Sequence, residues 1–124
     1  MTLVLDAGAL IALERGDRAS AALIEAARLD GRSIVVPAGV LGQTWRDGAK
    51  QALLARLLGA REVVVEPLGE AVARAAGELC GRTQTSDVID ASVVIAARRY
   101  RAVVVSSDRG DLLHLDPALP IIDC

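Results

Sequence analysis

TSDVIDASVVIAARRYRAVVVSSDRGDLL, residues 85–113, reads as helix, strand and helix with carboxylates at both joints. Asp87 and Asp90 open the first helix, and Asp108 and Asp111 follow the strand. The same strand-then-acid pattern opens the chain, where Leu3, Val4 and Leu5 run into Asp6 and then into AGALIAL. Three acid-bearing joints on one sheet point to a metal site.

Length and composition bound what such a site can belong to. A chain of 124 residues is one domain, 1–124, able to bury roughly two-thirds of its unfolded surface. With 52% hydrophobic residues but 2% aromatics, the core must be layers of Ala, Val, Leu and Ile. That favours an α/β sandwich over a small barrel. A net charge of -2 and a pI near 5.3 argue against a protein that coats nucleic acid or anionic membrane over its whole surface, and leave room for a local basic groove. The start MTLVLDAGALIALERGD has no basic region, and Asp6 interrupts its apolar run, so it does not read as a signal peptide. No stretch of about 18 consecutive apolar residues exists to span a membrane. Cys80 and Cys124 are far apart without metal-type spacing and read as free thiols. The expected setting is the reducing cytoplasm.

In chain order, residues 2–5 form a buried-type strand and Ala7 to Glu14 a helix that ends at Gly16. Asp17 caps a second helix carrying Ala21, Leu23, Ile24, Ala27 and Leu29, which turns at Asp30 and Gly31. Ser33 to Val36 is a strand, and Pro37 suits the first turn of a helix from Ala38 to about Asp47. In AKQALLARLLGA, leucines 53, 54, 57 and 58 predict one apolar stripe. Glu62 to Glu66 is the third strand, Gly69 to Cys80 a helix, and residues 81–86 a polar loop. Asp87 to Arg99 is then the crossover helix, Ala102 to Ser106 a strand, Arg109 to Leu113 a short helix, and Pro120 to Ile122 a last edge strand. The alternation predicts a three-layer α/β/α sandwich with a mainly parallel central sheet. Ligands of such sheets bind beyond the carboxyl ends of the strands.

Taken singly, each acid also reads as a helix N-cap: Asp6 for Ala7 to Glu14, Asp108 for Arg109 to Leu113, and Asp87 with Asp90 as a capping-box-like pair. Taken together they read differently. If the first strand neighbours the Ala102 to Ser106 strand, Asp6 and Asp108 emerge at the same end. Asp87 and Asp90, three apart, then share a helix face beside them. Carboxylates so gathered repel unless protonated or bridged by a cation, and hard oxygen donors select Mg²⁺ or Mn²⁺. The one histidine, His114, has no ligand-spaced partner for zinc.

On LVLDAGALIAL, SDVIDASVVIAA and VVVSSDRGDL the sequence resembles the PIN-domain ribonucleases, and more narrowly the VapC-type toxins of toxin-antitoxin pairs. The motifs span the whole chain in the family's order. The resemblance implies catalytic acids at Asp6, Asp90 and Asp108. It further implies Mg²⁺ or Mn²⁺ held by Asp6, Asp87, Asp90 and Asp108, and hydrolysis of an RNA phosphodiester by metal-activated water. Ser106 stands where the family often has a threonine that orients an acid, though it also reads as a plain strand-end hydroxyl. Asp111 reads as a supporting group or a cap. Two positions depart from the pattern. Gln43, in VPAGVLGQTWRDG, replaces the usual glutamate, and Gly8 stands where a serine or threonine often follows the first Asp. Both bear on catalysis rather than fold.

Arg46 and Lys50 are the candidate RNA-backbone contacts, since basic groups on phosphates position a strand without reading its sequence. Arg56 reads as a solvated helix face, and Trp45 as core or interface packing rather than a base-stacking platform. The resemblance further implies a homodimer, a small antitoxin protein as partner, and an RNA substrate. Two other classes compete. A phosphoryl-transfer enzyme of the haloacid-dehalogenase type also places Asp after its first strand, but wants a second acid where Gly8 stands. The other is a catalytically weak or inactive PIN-like module that binds RNA or a protein partner. Metal affinity with and without cleavage separates it from the nuclease.

Overall fold

Runs of aliphatic residues too short for helices, each closed by a polar or proline signal, become the strands of one parallel sheet. The computed structural model describes all of residues 1–124. The strands are β1 (Leu3–Leu5), β2 (Ile34–Pro37), β3 (Val63–Glu66), β4 (Val103–Ser106) and β5 (Ile121–Asp123), in the order β3-β2-β1-β4-β5. Leu3 pairs with Ile34 on one side and Val103 on the other, and Ile34 pairs with Val63. This in-register stacking brings Asp6, Pro37, Glu66 and Ser106 to the same carboxyl end. β1 and β2 are buried along their length, as strands covered on both faces must be.

The helices are α1 (Ala7–Glu14), α2 (Arg18–Leu29), α3 (Ala38–Thr44), α4 (Ala52–Leu58), α5 (Glu70–Thr83), α6 (Val88–Tyr100) and α7 (Arg109–Leu115), with a single 3-10 turn at Gly48–Lys50. Right-handed crossovers put α1 to α4, which pack on one another, over one face, and α5, α6 and α7 over the other. The three-layer sandwich with its parallel sheet is therefore the observed fold. No helix is long and apolar enough to cross a membrane.

Several boundaries differ from the sequence reading, each for a local reason. The helix expected to reach Asp47 stops at Thr44, and Trp45 is extended. The stop is made by Gln51, whose Oε1 accepts the backbone N–H groups of Arg46 and Asp47 while its Nε2 donates to Thr44 O and Glu14 Oε1. Residues 81–83 are helical rather than loop, because α5 continues through Gly81 and closes on Gln84 in the left-handed region, φ 57°. The leucine stripe is partial: Leu54 and Leu57 are buried, but Leu53 is 42% exposed. The last strand is shifted one residue, to Ile121–Asp123. Cys80 is buried and Cys124 exposed, and both are free thiols.

Candidate active site

Asp6 leaves β1 at its carboxyl end and caps α1, its Oδ1 accepting the Ala9 N–H at 3.1 Å. The expected cap is present, but it uses only one oxygen. The other accepts the hydroxyl of Ser106, the fully buried last residue of the neighbouring β4. Ser106 Oγ in turn accepts the Asp108 N–H at 2.8 Å, so one serine ties the acid after β1 to the acid-bearing loop after β4. Asp108 makes no side-chain cap to α7, and its carboxylate is exposed. Burial lifts the Asp6 carboxyl above the ordinary range. Its bonds to Ser106 and Ala9 oppose the rise, and the nearby Asp108 charge adds to it.

The second acid-bearing joint lies alongside. Asp87 caps α6 by accepting the Asp90 N–H at 2.9 Å. The reciprocal bond of a full capping box is not made, which leaves the Asp90 carboxylate free to face the cleft. The Asp90 carboxyl is pushed up to about 7, first by burial and then by the charges of Asp87, Asp108, Asp111 and Asp6. Acids from both joints and from the end of β1 therefore act on one group. A cleft of about 360 Å³ opens here, lined by Thr85, Ser86, Asp87, Asp90, Asp111, His114 and Leu115. His114 Nε2 lies 2.8 Å from Thr83 O and is held against the end of α5.

The PIN-domain family model matches residues 3–116 of this sequence. The chain belongs to the PIN-domain family. Among solved structures it is similar to VapBC2 from Rickettsia felis bound to a DNA fragment of its promoter, at 14% identity and a TM-score of 0.73 over 99% of this chain and 98% of that one. It is also similar to FitAB bound to an IR36 DNA fragment, at 13% identity and TM-score 0.67 over 98% and 94% of the chains. FitAcB from Neisseria gonorrhoeae shares 15% identity and TM-score 0.65 over 97% and 96%. No curated protein sequence matches the chain. These structures share the fold of this PIN domain across nearly their whole length.

A second cleft, about 570 Å³, begins at Gly8 and Ser107, close in the chain to Asp6 and Asp108, and is lined by these with Ile11, Ala12, Arg15, Gly16, Asp17 and Cys124. The sequence reading named Gly8 but missed Arg15, Ser107 and Cys124 at this rim. A Cβ built on Gly8 would come 1.9 Å from Ser107 Oγ and 2.8 Å from Ser107 Cβ, so the serine of the β4–α7 loop occupies the space a side chain at position 8 would need. The Cys124 thiol is pushed up to about 11 by partial loss of solvent, with Asp6, Asp17, Asp123 and Asp108 adding to the rise. No spacing in the sequence signals this approach, because it depends on β5 pairing with β4.

Gln43 is exposed, makes no side-chain hydrogen bond, and lines neither of these clefts. It stands one helical turn beyond Gly39, where an added Cβ would meet Ile89 Cδ1 at 2.3 Å, so α3 starts in tight contact with the first turn of α6. Arg46 and Lys50 lie past the far end of α3. The Arg46 guanidinium is folded onto Gly42 O and Trp45 O at 3.0 and 2.7 Å. Trp45 is 38% exposed and covers Gly48.

The donor set suits a hard divalent cation: oxygen donors throughout, with Asp6 and Asp90 raised first by burial and further by neighbouring carboxylates. As the side chains stand, no three His, Cys, Asp or Glu groups converge tightly enough to enclose an ion. The exposed Asp87, Asp108 and Asp111 would have to turn inward to do so.

Proposed function

We propose that this PIN domain is a Mg²⁺- or Mn²⁺-dependent endoribonuclease, the toxin of a cytoplasmic toxin-antitoxin pair, working as a homodimer neutralised by a small antitoxin protein. The observation that carries the reading is the gathering of acids from separate joints at the carboxyl end of a parallel sheet, where Ser106 ties Asp6 to the Asp108 loop and Asp87, Asp90 and Asp111 line the adjoining cleft. Members of the family are generally nucleases that use divalent metals. The similar structures are described as VapBC2 and FitAB, each bound to a DNA fragment, and VapBC names the toxin-antitoxin class that the sequence resembles, which favours a protein partner of that kind here. The antitoxin and dimer parts also fit the exposed apolar groups Ile11, Trp45, Leu53 and Leu68.

Asp6, Asp90 and Asp108 would hold the cation, with Asp87 joining them. A divalent ion held there supplies Lewis-acid polarisation of the phosphodiester and lowers the pKa of water. The protein's own groups do the rest. Ser106 fixes the Asp6 carboxylate by donating its hydroxyl to one oxygen, and the Asp108 loop by accepting the Asp108 N–H at the same Oγ. Asp90, titrating near neutrality, can take up or release a proton at its carboxylate. Arg46 and Lys50 would meet the RNA backbone away from the cut. Single-stranded RNA incubated with the protein and Mn²⁺ or Mg²⁺ should be cleaved slowly, and Asp6→Asn should stop it. Metal binding without any cleavage would favour the second reading, a module that binds RNA or protein without cutting.

A further inference from the structure

Arg28, Arg32, Arg74, Arg98, Arg99 and Arg109 are each paired with a carboxylate, and Arg46 is folded onto carbonyls. Of the remaining cations, Arg15 alone lines a cleft bordering the acids. That cleft runs from Ser107, next to Asp108, over Gly8, Ile11 and Ala12 to Arg15 at the C-cap of α1. Asp6 caps the other end of the same helix, so α1 is a rigid spacer between the acids and this guanidinium. At about 1.5 Å per residue the nine steps from Asp6 to Arg15 span roughly 13 Å. A group at that distance meets a phosphate beyond the one at Asp6 and Asp108.

We infer that Arg15 is a positioning residue for the substrate, holding a backbone phosphate of single-stranded RNA that lies along the α1 cleft, with the unpartnered Ser107 hydroxyl between it and the acids. The inference rests on the ribonuclease reading. It adds the direction in which the strand leaves the site. The local charge makes the guanidinium necessary. Asp17 shares the cleft, its carboxylate engaged by the Ser20 N–H and hydroxyl, and Asp108 follows Ser107 at its rim, so Arg15 is the one cation that lines the path of a polyanion entering there. A guanidinium also offers paired donors that match phosphate oxygens.

The test uses the full chain and a fluorescent single-stranded RNA oligonucleotide, with binding followed by anisotropy over a range of KCl at fixed Mg²⁺. Asp6→Asn is the background, so that the RNA stays intact. Adding Arg15→Gln should weaken binding several-fold and make the slope of log K against log salt shallower by about 0.7, the share of one lost phosphate contact on a single strand. Arg15→Lys should restore the slope. Arg101→Gln, the same charge change at the opposite end of the sheet, should leave both unchanged. In the cleaving parent, Arg15→Gln should raise KM and spare kcat, the mark of uniform binding lost. An Arg15→Gln result matching Arg101→Gln, or no RNA binding in the Asp6→Asn background, overturns the assignment. A parent that binds RNA with an Arg15-dependent slope yet never cuts keeps the phosphate contact and removes only the nuclease reading.

Discussion

Asp90 is the residue at which the physics of the site concentrates. Its folded pKa of about 7 stands above the ordinary 3.8 because burial and neighbouring carboxylates disfavour its charge. An acid raised in the folded state adds stability that is fully present below its unfolded pKa and is lost as pH rises through its folded one. Metal-free protein should therefore melt at progressively lower temperature between about pH 4 and pH 7, and Asp90→Asn should flatten that decline. Asp6, also raised, adds a contribution of the same sign. Asp17, Glu62 and Asp123 are lowered, so theirs is lost only as pH falls through the acid range. Thermal melts of parent and Asp90→Asn across this range check the sign, and parallel curves would show that Asp90 is not the group responsible. The acids themselves were legible from residue types alone, since LDAG, SDVID and SSDRGD place carboxylates at strand ends and helix starts. Their wiring was not. That Ser106 serves both Asp6 and Asp108 depends on β1 and β4 being neighbours, a long-range pairing that periodicity does not carry.

The end of α3 is set by the Gln51 side chain reaching back from beyond the helix, and the end of α5 by bonds within its own last turn. Gly81 reads as a helix stop, yet α5 runs through it, because Thr83 Oγ1 bonds back to Leu79 O and the Thr85 N–H reaches Cys80 O. The actual stop is Gln84 at φ 57°, a conformation that costs an L-residue roughly 1–2 kcal/mol and glycine little. Gln84→Gly should accordingly stabilise the protein by about 1 kcal/mol, less whatever glycine's looser unfolded chain removes, as denaturant titration would show. A loss of stability would mean that the Gln84 side chain makes a compensating contact. α1 poses the converse case. Gly8 is required by Ser107 rather than by its own backbone, so Gly8→Ser should destabilise by about 1–3 kcal/mol through overpacking. Ser107→Gly alone should cost little, and adding it to Gly8→Ser should recover most of the loss. Additive effects in that double-mutant cycle would show that the two positions do not compete for the same space. Two departures from the family's pattern thus have different physical standing: Gly8 is matched by Ser107, whereas nothing in the structure matches Gln43.

At the scale of the molecule, a parallel sheet buried on both faces leaves its carboxyl edge as the place where polar groups can gather, and Asp6, Asp87, Asp90, Asp108 and Asp111 lie there without an ion-pair partner. A ligand bound only by the folded state stabilises it by mass action, so Mg²⁺ or Mn²⁺ should raise the melting temperature. The pH dependence makes that expectation specific. Cation binding requires Asp90 to be ionised, and its proton is held up to about pH 7. The metal-induced shift should consequently be small at pH 5 and grow through neutrality, over the same range in which the metal-free protein loses stability. The two melting curves, with and without metal, diverge as pH rises. Ions bound to scattered surface carboxylates would give no such divergence centred near 7, because those groups are ionised well below it. Asp90→Asn should remove it. Gln43→Glu asks whether α3 takes part: one added charge at a partly solvated site should tighten Mg²⁺ binding by about 1 kcal/mol, while the metal-free form loses some stability to added repulsion. The tight start of α3 against Ile89, one residue before Asp90, favours that coupling. The exposure of Gln43 and its place outside both clefts oppose it. Calorimetric Mg²⁺ titration of the parent and Gln43→Glu decides between them, since equal affinities would put α3 outside the metal site and leave the β1, β4 and α6 acids to hold the ion by themselves.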